Sequence, residues 1–138
     1  MSLSRYKVCP GDEVTFINVD ASVAVSDMDH AKSFYEGKLG FSGTRDQSDG
    51  SLVYACGGGT SLRVYASPGR AGKATATLAT WYVADLEQVV DELGSNGVTF
   101  VQNVLPELKT DEKGIHQLAD GKVAWFKDPD GNTFAIEQ

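Results

Sequence analysis

The chain has 138 residues, 41% of them hydrophobic, and its 19 acidic against 12 basic side chains give a net charge of −7. That size and composition suit one globular domain, or two small modules sharing a core. They argue against a nucleic-acid partner, which needs a basic surface, and no apolar run is long enough to cross a membrane.

Residues 1–19, including "YKVCPGDEVTF", read as an N-terminal extension that adds either an edge strand or an arm. Cys9 and Cys56 show no disulfide-framework spacing, and no secretion signal is evident. Reduced thiols and a cytoplasmic location are therefore expected. "ASVAV" (21–25) is short and β-branched and predicts a strand. Asp27 follows as a helix N-cap, since its carboxylate can accept from the free amides of the first turn. Met28, Ala31, Tyr35 and Leu39 then fall on one helical stripe with Phe34 beside it, and Gly40 is a natural stop. Three strands are predicted next, at Phe41–Arg45, "SLVYAC" and "TSLRVYAS". The glycines of "ACGGGTS" lack the Lys-Ser/Thr ending and following helix of a phosphate loop, so they read as a turn. "ASPGRAGKAT" (66–75) has the composition of a linker.

The pattern then recurs. "VADLEQVVDELGSNGVTF" (83–100) parallels "VSDMDHAKSFYEGKLGF" (25–41), and Asp85 takes the capping place of Asp27, with Gln88 three residues on as in a capping box. "TLATWYV" predicts the strand before this second helix, while "VTFVQN", "KVAWFK" and "TFAIEQ" predict strands after it. "PELKTDEKGIHQLADG" is a polar excursion expected near a functional rim. Asp128-Pro129-Asp130-Gly131-Asn132 lies between two strands. A calcium loop needs more oxygen ligands and a later glutamate than this spacing supplies, so a turn is predicted. The fold class expected is α+β: two tandem βαβββ modules, 20–70 and 71–138, forming a cupped, mostly antiparallel sheet with helices outside.

The tandem units, with "VSDMDHAKSFYEGKLGF" near the start and "AWFKDPDGN" near the end, resemble the vicinal oxygen chelate superfamily of glyoxalases, extradiol dioxygenases and bleomycin resistance proteins. The resemblance covers residues 20–138. It implies a cavity enclosed by the two modules and, in metal-using members, ligands on the first and last strand of each module, commonly His and Glu. Carried onto this chain, those positions fall at Asp20, at Ser61 or Arg63, at Leu78 and at Ala135. Leu78 and Ala135 cannot coordinate, and a guanidinium repels a cation. His30 and His116 lie at none of these positions. The chain is thus similar to members lacking the usual ligand set, and no cofactor is expected; Asp20 and Glu137 are the weak candidates for a divalent metal, which is the alternative.

Strand alternation assigns the faces. Leu62 and Val64 should pack under a helix, leaving Ser61, Arg63 and Tyr65 toward the cavity. Phe134 and Ile136 should do the same, leaving Thr133, Ala135 and Glu137. Leu78, Thr80 and Tyr82 share the face opposite Trp81, which reads as core. Candidate ligand-binding residues are Arg63, Tyr65, Tyr54, Thr80, Tyr82 and Trp125, with Phe126 a further aromatic. Glu137 as a general base and His116 as a proton shuttle are the weak catalytic candidates. No Ser-His-Asp or Cys-His arrangement is suggested. The expectation is metal-free binding of a small organic molecule by a homodimer. The alternative is a metal-dependent lyase, isomerase or dioxygenase of the glyoxalase type, with Asp20, Glu137 and His116 at its site. A third possibility, a pure interaction module, would expose an apolar surface and have no ligand cavity.

Overall fold

The structure, a computed structural model, describes residues 18–102 and 107–138. Most of the N-terminal extension, with Cys9, and the last residue of the strand expected at "VTFVQN" lie outside the described residues.

Strand β1 (Ala21–Val25) leads into helix α1 (Met28–Lys32), which continues as a wider π-wound segment, Ser33–Lys38. Asp27 caps it as expected, accepting from the amides of Asp29 at 2.8 Å and His30 at 3.1 Å. These bonds, the one to His30 foremost, hold the Asp27 carboxyl below its ordinary range. In the wider segment Leu39 N donates to Phe34 O at 3.0 Å and Phe41 N to Tyr35 O at 2.9 Å. That winding turns both Phe34 and Tyr35 into the core. Strands β2 (Gly43–Arg45), β3 (Leu52–Gly57) and β4 (Thr60–Ala66) follow. The first sheet has the order β1-β4-β3-β2, with β1 parallel to β4 and the rest antiparallel.

The second unit repeats the plan with β5 (Thr77–Tyr82), α2 (Leu86–Ser95), β6 (Phe100–Val101), β7 (Ile115–Leu118), β8 (Gly121–Lys127) and β9 (Thr133–Glu137). Asp85 caps α2 through Gln88 N at 3.2 Å, and Leu86 and Val90 are its buried positions. β5 is parallel to β9, and β8 is antiparallel to β9, β6 and β7. The place of β2 is taken here by two fragments. β6 pairs Phe100 with Phe126 and Val101 with Trp125, and β7 resumes the ladder with Ile115 opposite Ala124. The polar excursion therefore contains a strand, β7, that its composition concealed. Gln102 Nε2 donates to Glu112 O at 2.8 Å and closes the base of the outgoing loop.

The core is continuous across the two units. Tyr35 stacks on Tyr54 at 5.9 Å and meets Phe134 edge-on at 6.2 Å, while Trp81 packs on Phe41, Phe126 and Phe134. Each fully buried aromatic contributes roughly 1.5–3 kcal/mol of apolar burial, so the two units stabilise each other. Trp81 is on the core side as predicted. Cys56 is half-buried against the same cluster, and its sulfur accepts the Trp81 indole N–H at 3.3 Å.

The Asp128–Asn132 turn fastens the units together. Gly131 supplies its positive φ of 89°. The Asp128 carboxylate is 5% exposed and accepts four donors: Tyr35 Oη at 2.8 Å, Asn132 Nδ2 at 2.8 Å, Asn132 N at 2.9 Å and Asp130 N at 3.0 Å. Asn132 Nδ2 also donates to Ala24 O at 2.9 Å, and its Oδ1 accepts from Gly72 N at 3.1 Å. Asp130 accepts from both the backbone N–H and the hydroxyl of Ser26. Burial, and then the charge of Asp128, pushes the Tyr35 phenol well above its ordinary range.

Candidate functional site

The register of the second sheet sorts its side chains into two faces. Phe100, Phe126, Phe134 and Ala79 form one cross-strand row, and Ile115, Ala124, Ile136 and Trp81 another; both look into the core. The alternating rows look the other way: His116, Val123, Glu137 and Tyr82, then Val101, Trp125, Ala135 and Thr80. This second face carries a cleft of about 260 Å³ with Trp125 and Ala135 in its lining. Thr77, Thr80, His116, Leu118 and Glu137 also border it, and Leu108 reaches it from the polar excursion.

A bulge sets one wall. Thr77 pairs with Thr133 and Ala79 with Phe134, so Leu78 is an extra residue in β5. Plain alternation places Leu78 on the cavity face with Thr80. The bulge instead leaves Leu78 packed against the core and brings Thr77 to the cleft beside Thr80. Thr80 also borders a second cleft of about 620 Å³, where the edges of β1 and β5 approach; Val19, Cys56, Leu62, Trp81 and Tyr82 line it. Three large apolar side chains stand open to solvent around these clefts: Val19, Tyr82 at 76% exposure, and Leu118 at 40%.

His116 is oriented by its loop. Its Nδ1 lies 2.7 Å from Lys109 O. A carbonyl can only accept, so Nδ1 carries the hydrogen, and in the neutral ring Nε2 keeps its lone pair. The ring sits 6.4 Å from that of Trp125. His116 and Glu137 flank Val123 in one row, two strand spacings apart, which is roughly 10 Å. Among the described residues no side chain donates a hydrogen bond to the Glu137 carboxylate and no cation pairs with it.

The first unit treats its charges differently. Arg63 Nη1 donates to Asp46 at 3.0 Å and to Ser51 Oγ at 2.6 Å; Asp49 is 3.7 Å from Nη1, and Asp20 3.8 Å from Nη2. The side chain faces away from the helices, as alternation predicts, but three carboxylates already neutralise it. It is no free cation for an anionic ligand, and it borders neither cleft. Hydrogen bonds from Ser48, with help from Arg63, lower the Asp46 carboxyl to about 2. Those from Ser51 lower Asp49.

Two further aromatic candidates move. Tyr54 pairs with Leu62 and Gly43, is fully buried on the helix side, and donates to Glu36 at 3.1 Å. It is core, as is Phe126, 1% exposed. Tyr65 pairs with Ala24 on the Arg63 side of the first sheet and is half-buried outside both clefts. Thr80 and Tyr82 come together at the seam, with Trp125 and Glu137 on the adjoining face.

The positions at which the resemblance puts metal ligands do not fit a metal ion. Asp20 and Arg63 form an ion pair, β5 offers Thr77 and Thr80 in place of Leu78, and Ala135 has no donor. Among the described residues no three His, Cys, Asp or Glu side chains converge closely enough to hold an ion.

Comparison with known proteins accords with this architecture. TnmS3, an antibiotic binding protein from Streptomyces sp. CB03234, is 28% identical with a TM-score of 0.66, over 88% of this chain and 96% of its own. A glyoxalase/bleomycin resistance protein from Catenulispora acidiphila is 26% identical with a TM-score of 0.64, over 87% of this chain and 96% of its own. A putative glyoxalase family protein from Bacillus anthracis, 17% identical with a TM-score of 0.67 over 90% and 97% of the two chains, shares the fold. A search of curated protein sequences gave no match. The profile of one family matches residues 17–136: the chain belongs to the Glyoxalase/Bleomycin resistance protein/Dioxygenase superfamily.

Proposed function

We propose that the protein binds a small organic molecule, without a metal, on the open face of the second sheet. One observation carries this reading: Trp125 and Leu118 leave apolar surface open around a concave cleft whose polar groups, among the described residues, are two hydroxyls, an imidazole and one carboxylate. Such clefts, mostly apolar with a few fixed polar groups, are what small-molecule sites look like. The antibiotic-binding relative supports the same reading by analogy. A second copy of the chain, set against the exposed Val19, Tyr82 and Leu118, would deepen the cleft, and we assign the working unit as a cytoplasmic homodimer.

Glyoxalase-type chemistry would need metal donors that Leu78 and Ala135 do not supply at the family positions. A panel of planar natural products, titrated against the purified protein by calorimetry, tests the proposal. Micromolar or tighter binding that Trp125→Ala weakens at least about tenfold is expected. Stoichiometric metal after loading with Ni, Zn, Mn or Fe(II), retained through gel filtration, would overturn the metal-free reading. Binding indifferent to Trp125→Ala would move the site elsewhere.

A further inference from the structure

Building on the small-molecule site proposed for this cleft, we infer that it selects ligands carrying a protonated amine on a flat, unsaturated frame. Among the described residues the lining contains no Lys and no Arg. Its one ionisable acid, Glu137, has neither a hydrogen-bond donor nor a cation among the described residues, whereas Asp20, Asp46 and Asp49 on the first sheet all share Arg63. His116 commits its Nδ1 hydrogen to Lys109 O and so offers the cleft an acceptor. Thr77 and Thr80 hydroxyls accept or donate as required. The site is thus short of donors and holds one uncompensated negative charge, and a cationic donor complements both.

The frame is set by the position of the ring. Trp125 and Glu137 are diagonal neighbours on adjacent strands, since Trp125 pairs with Ala135 and Val123 with Glu137. Diagonal pairs stand about 7–8 Å apart. A planar ring lying on the Trp125 indole therefore places an amine substituent within reach of Glu137, and a cation over that indole gains further attraction. Ala135, between the Trp125 and Thr80 positions in its row, leaves the floor flat.

Three matched probes test this: proflavine, a planar tricyclic cation at neutral pH; acridone, its neutral analogue; and anthraquinone-2-sulfonate, a planar anion. Each is titrated calorimetrically against the full chain, Glu137→Gln and Trp125→Ala, in low and high salt. Proflavine is expected to bind at least about tenfold more tightly than the other two. Glu137→Gln should erase that preference and leave acridone unchanged, and salt should weaken proflavine alone. The salt series on the unaltered protein stands as an independent readout if Glu137→Gln folds poorly. Equal affinities for all three probes, each lost in Trp125→Ala, would refute the selection for cations and leave the small-molecule site in place. Failure of every probe to bind, or binding untouched by Trp125→Ala, would overturn both.

Discussion

Replacing Tyr35 by Phe deletes one hydroxyl and nothing else from the junction of the two units. That hydroxyl donates to Asp128 at 2.8 Å, inside a carboxylate shell of four donors. A hydrogen bond to a charged, buried acceptor contributes about 1.5–3 kcal/mol. Asp128 keeps three donors in Tyr35→Phe, so the cost should stay within that range. Asp128→Ala is different, because it strands the Tyr35 hydroxyl and the Asn132 amide together, and about 3–5 kcal/mol is expected. In the Asp128→Ala background, Tyr35→Phe should cost nothing, or stabilise, since it removes a buried hydroxyl that has lost its acceptor. Urea unfolding followed by Trp81 and Trp125 fluorescence measures all four proteins. At a slope of about 1.5 kcal/mol per molar, the Tyr35→Phe midpoint should fall by roughly 1–2 M. A coupling of at least about 1 kcal/mol should separate the two backgrounds. If Tyr35→Phe costs the same in both, the turn does not couple the units through this bond and the reasoning fails.

Gly72 has a φ of +66°, and a Cβ there would collide with the carbonyl of Asp130. Gly72→Ala should therefore destabilise by about 1–3 kcal/mol or more, read as a shift in melting temperature beside the tolerant control Gly69→Ala, whose Cβ meets nothing. Burial, then Asp128 for Tyr35 and Glu36 for Tyr54, raises both phenols in the folded state. Their stabilisation is complete below the unfolded value near 10 and is lost as pH climbs above it. The stability-against-pH slope above pH 10 should accordingly be negative, and shallower in Tyr54→Phe. Asp46 has the opposite sign. Its folded value is depressed to about 2, so its contribution is present above pH 4 and disappears as pH falls from 4 toward 2. Asp46→Asn should flatten that limb of an acid titration followed by circular dichroism. Arg63→Gln leaves Asp20, Asp46 and Asp49 repelling one another, so its destabilisation should be larger in 20 mM than in 500 mM salt; equal losses would mean that the ion pairs matter little.

Local chemistry made much of the architecture legible. Asp27 and Asp85 sit where the capping rule needs them, and the apolar alternation of Leu62–Val64 and Phe134–Ile136 points to the correct face. The errors fall where two local readings compete or where a distant partner decides. In "SLVYAC" both alternating sets are largely apolar, so nothing local told Tyr54 from Val53. The bulge at Leu78 leaves no mark in a run of small and β-branched residues, yet it exchanges Leu78 for Thr77 at the cleft. β7 was hidden because it is only four residues long, Ile115–Leu118, and sits at the end of a polar run, although its ladder with β8 closes across the tight turn from Leu118 to Gly121. Arg63 reads as a cavity-facing ligand-binding candidate, and only the β2–β3 turn reveals Asp46 and Asp49 as its partners. The turn at Asp128–Asn132 was legible as a turn, but its grip on Tyr35 and Ala24 depends on chain folded some 90 to 110 residues earlier.

The order of the second sheet has a consequence for biosynthesis. β9 is the last of the described strands to be made, yet it lies between β5 and β8. The first sheet has all its strands once residue 66 is out of the ribosome, whereas the second has an empty lane until residue 137 emerges. During that interval β5 and β8 expose unpaired edges and the aromatic face of Trp81 and Phe126. A tethered nascent chain whose emerged portion ends between residues 127 and 133 should therefore be the form most readily captured by holdase chaperones.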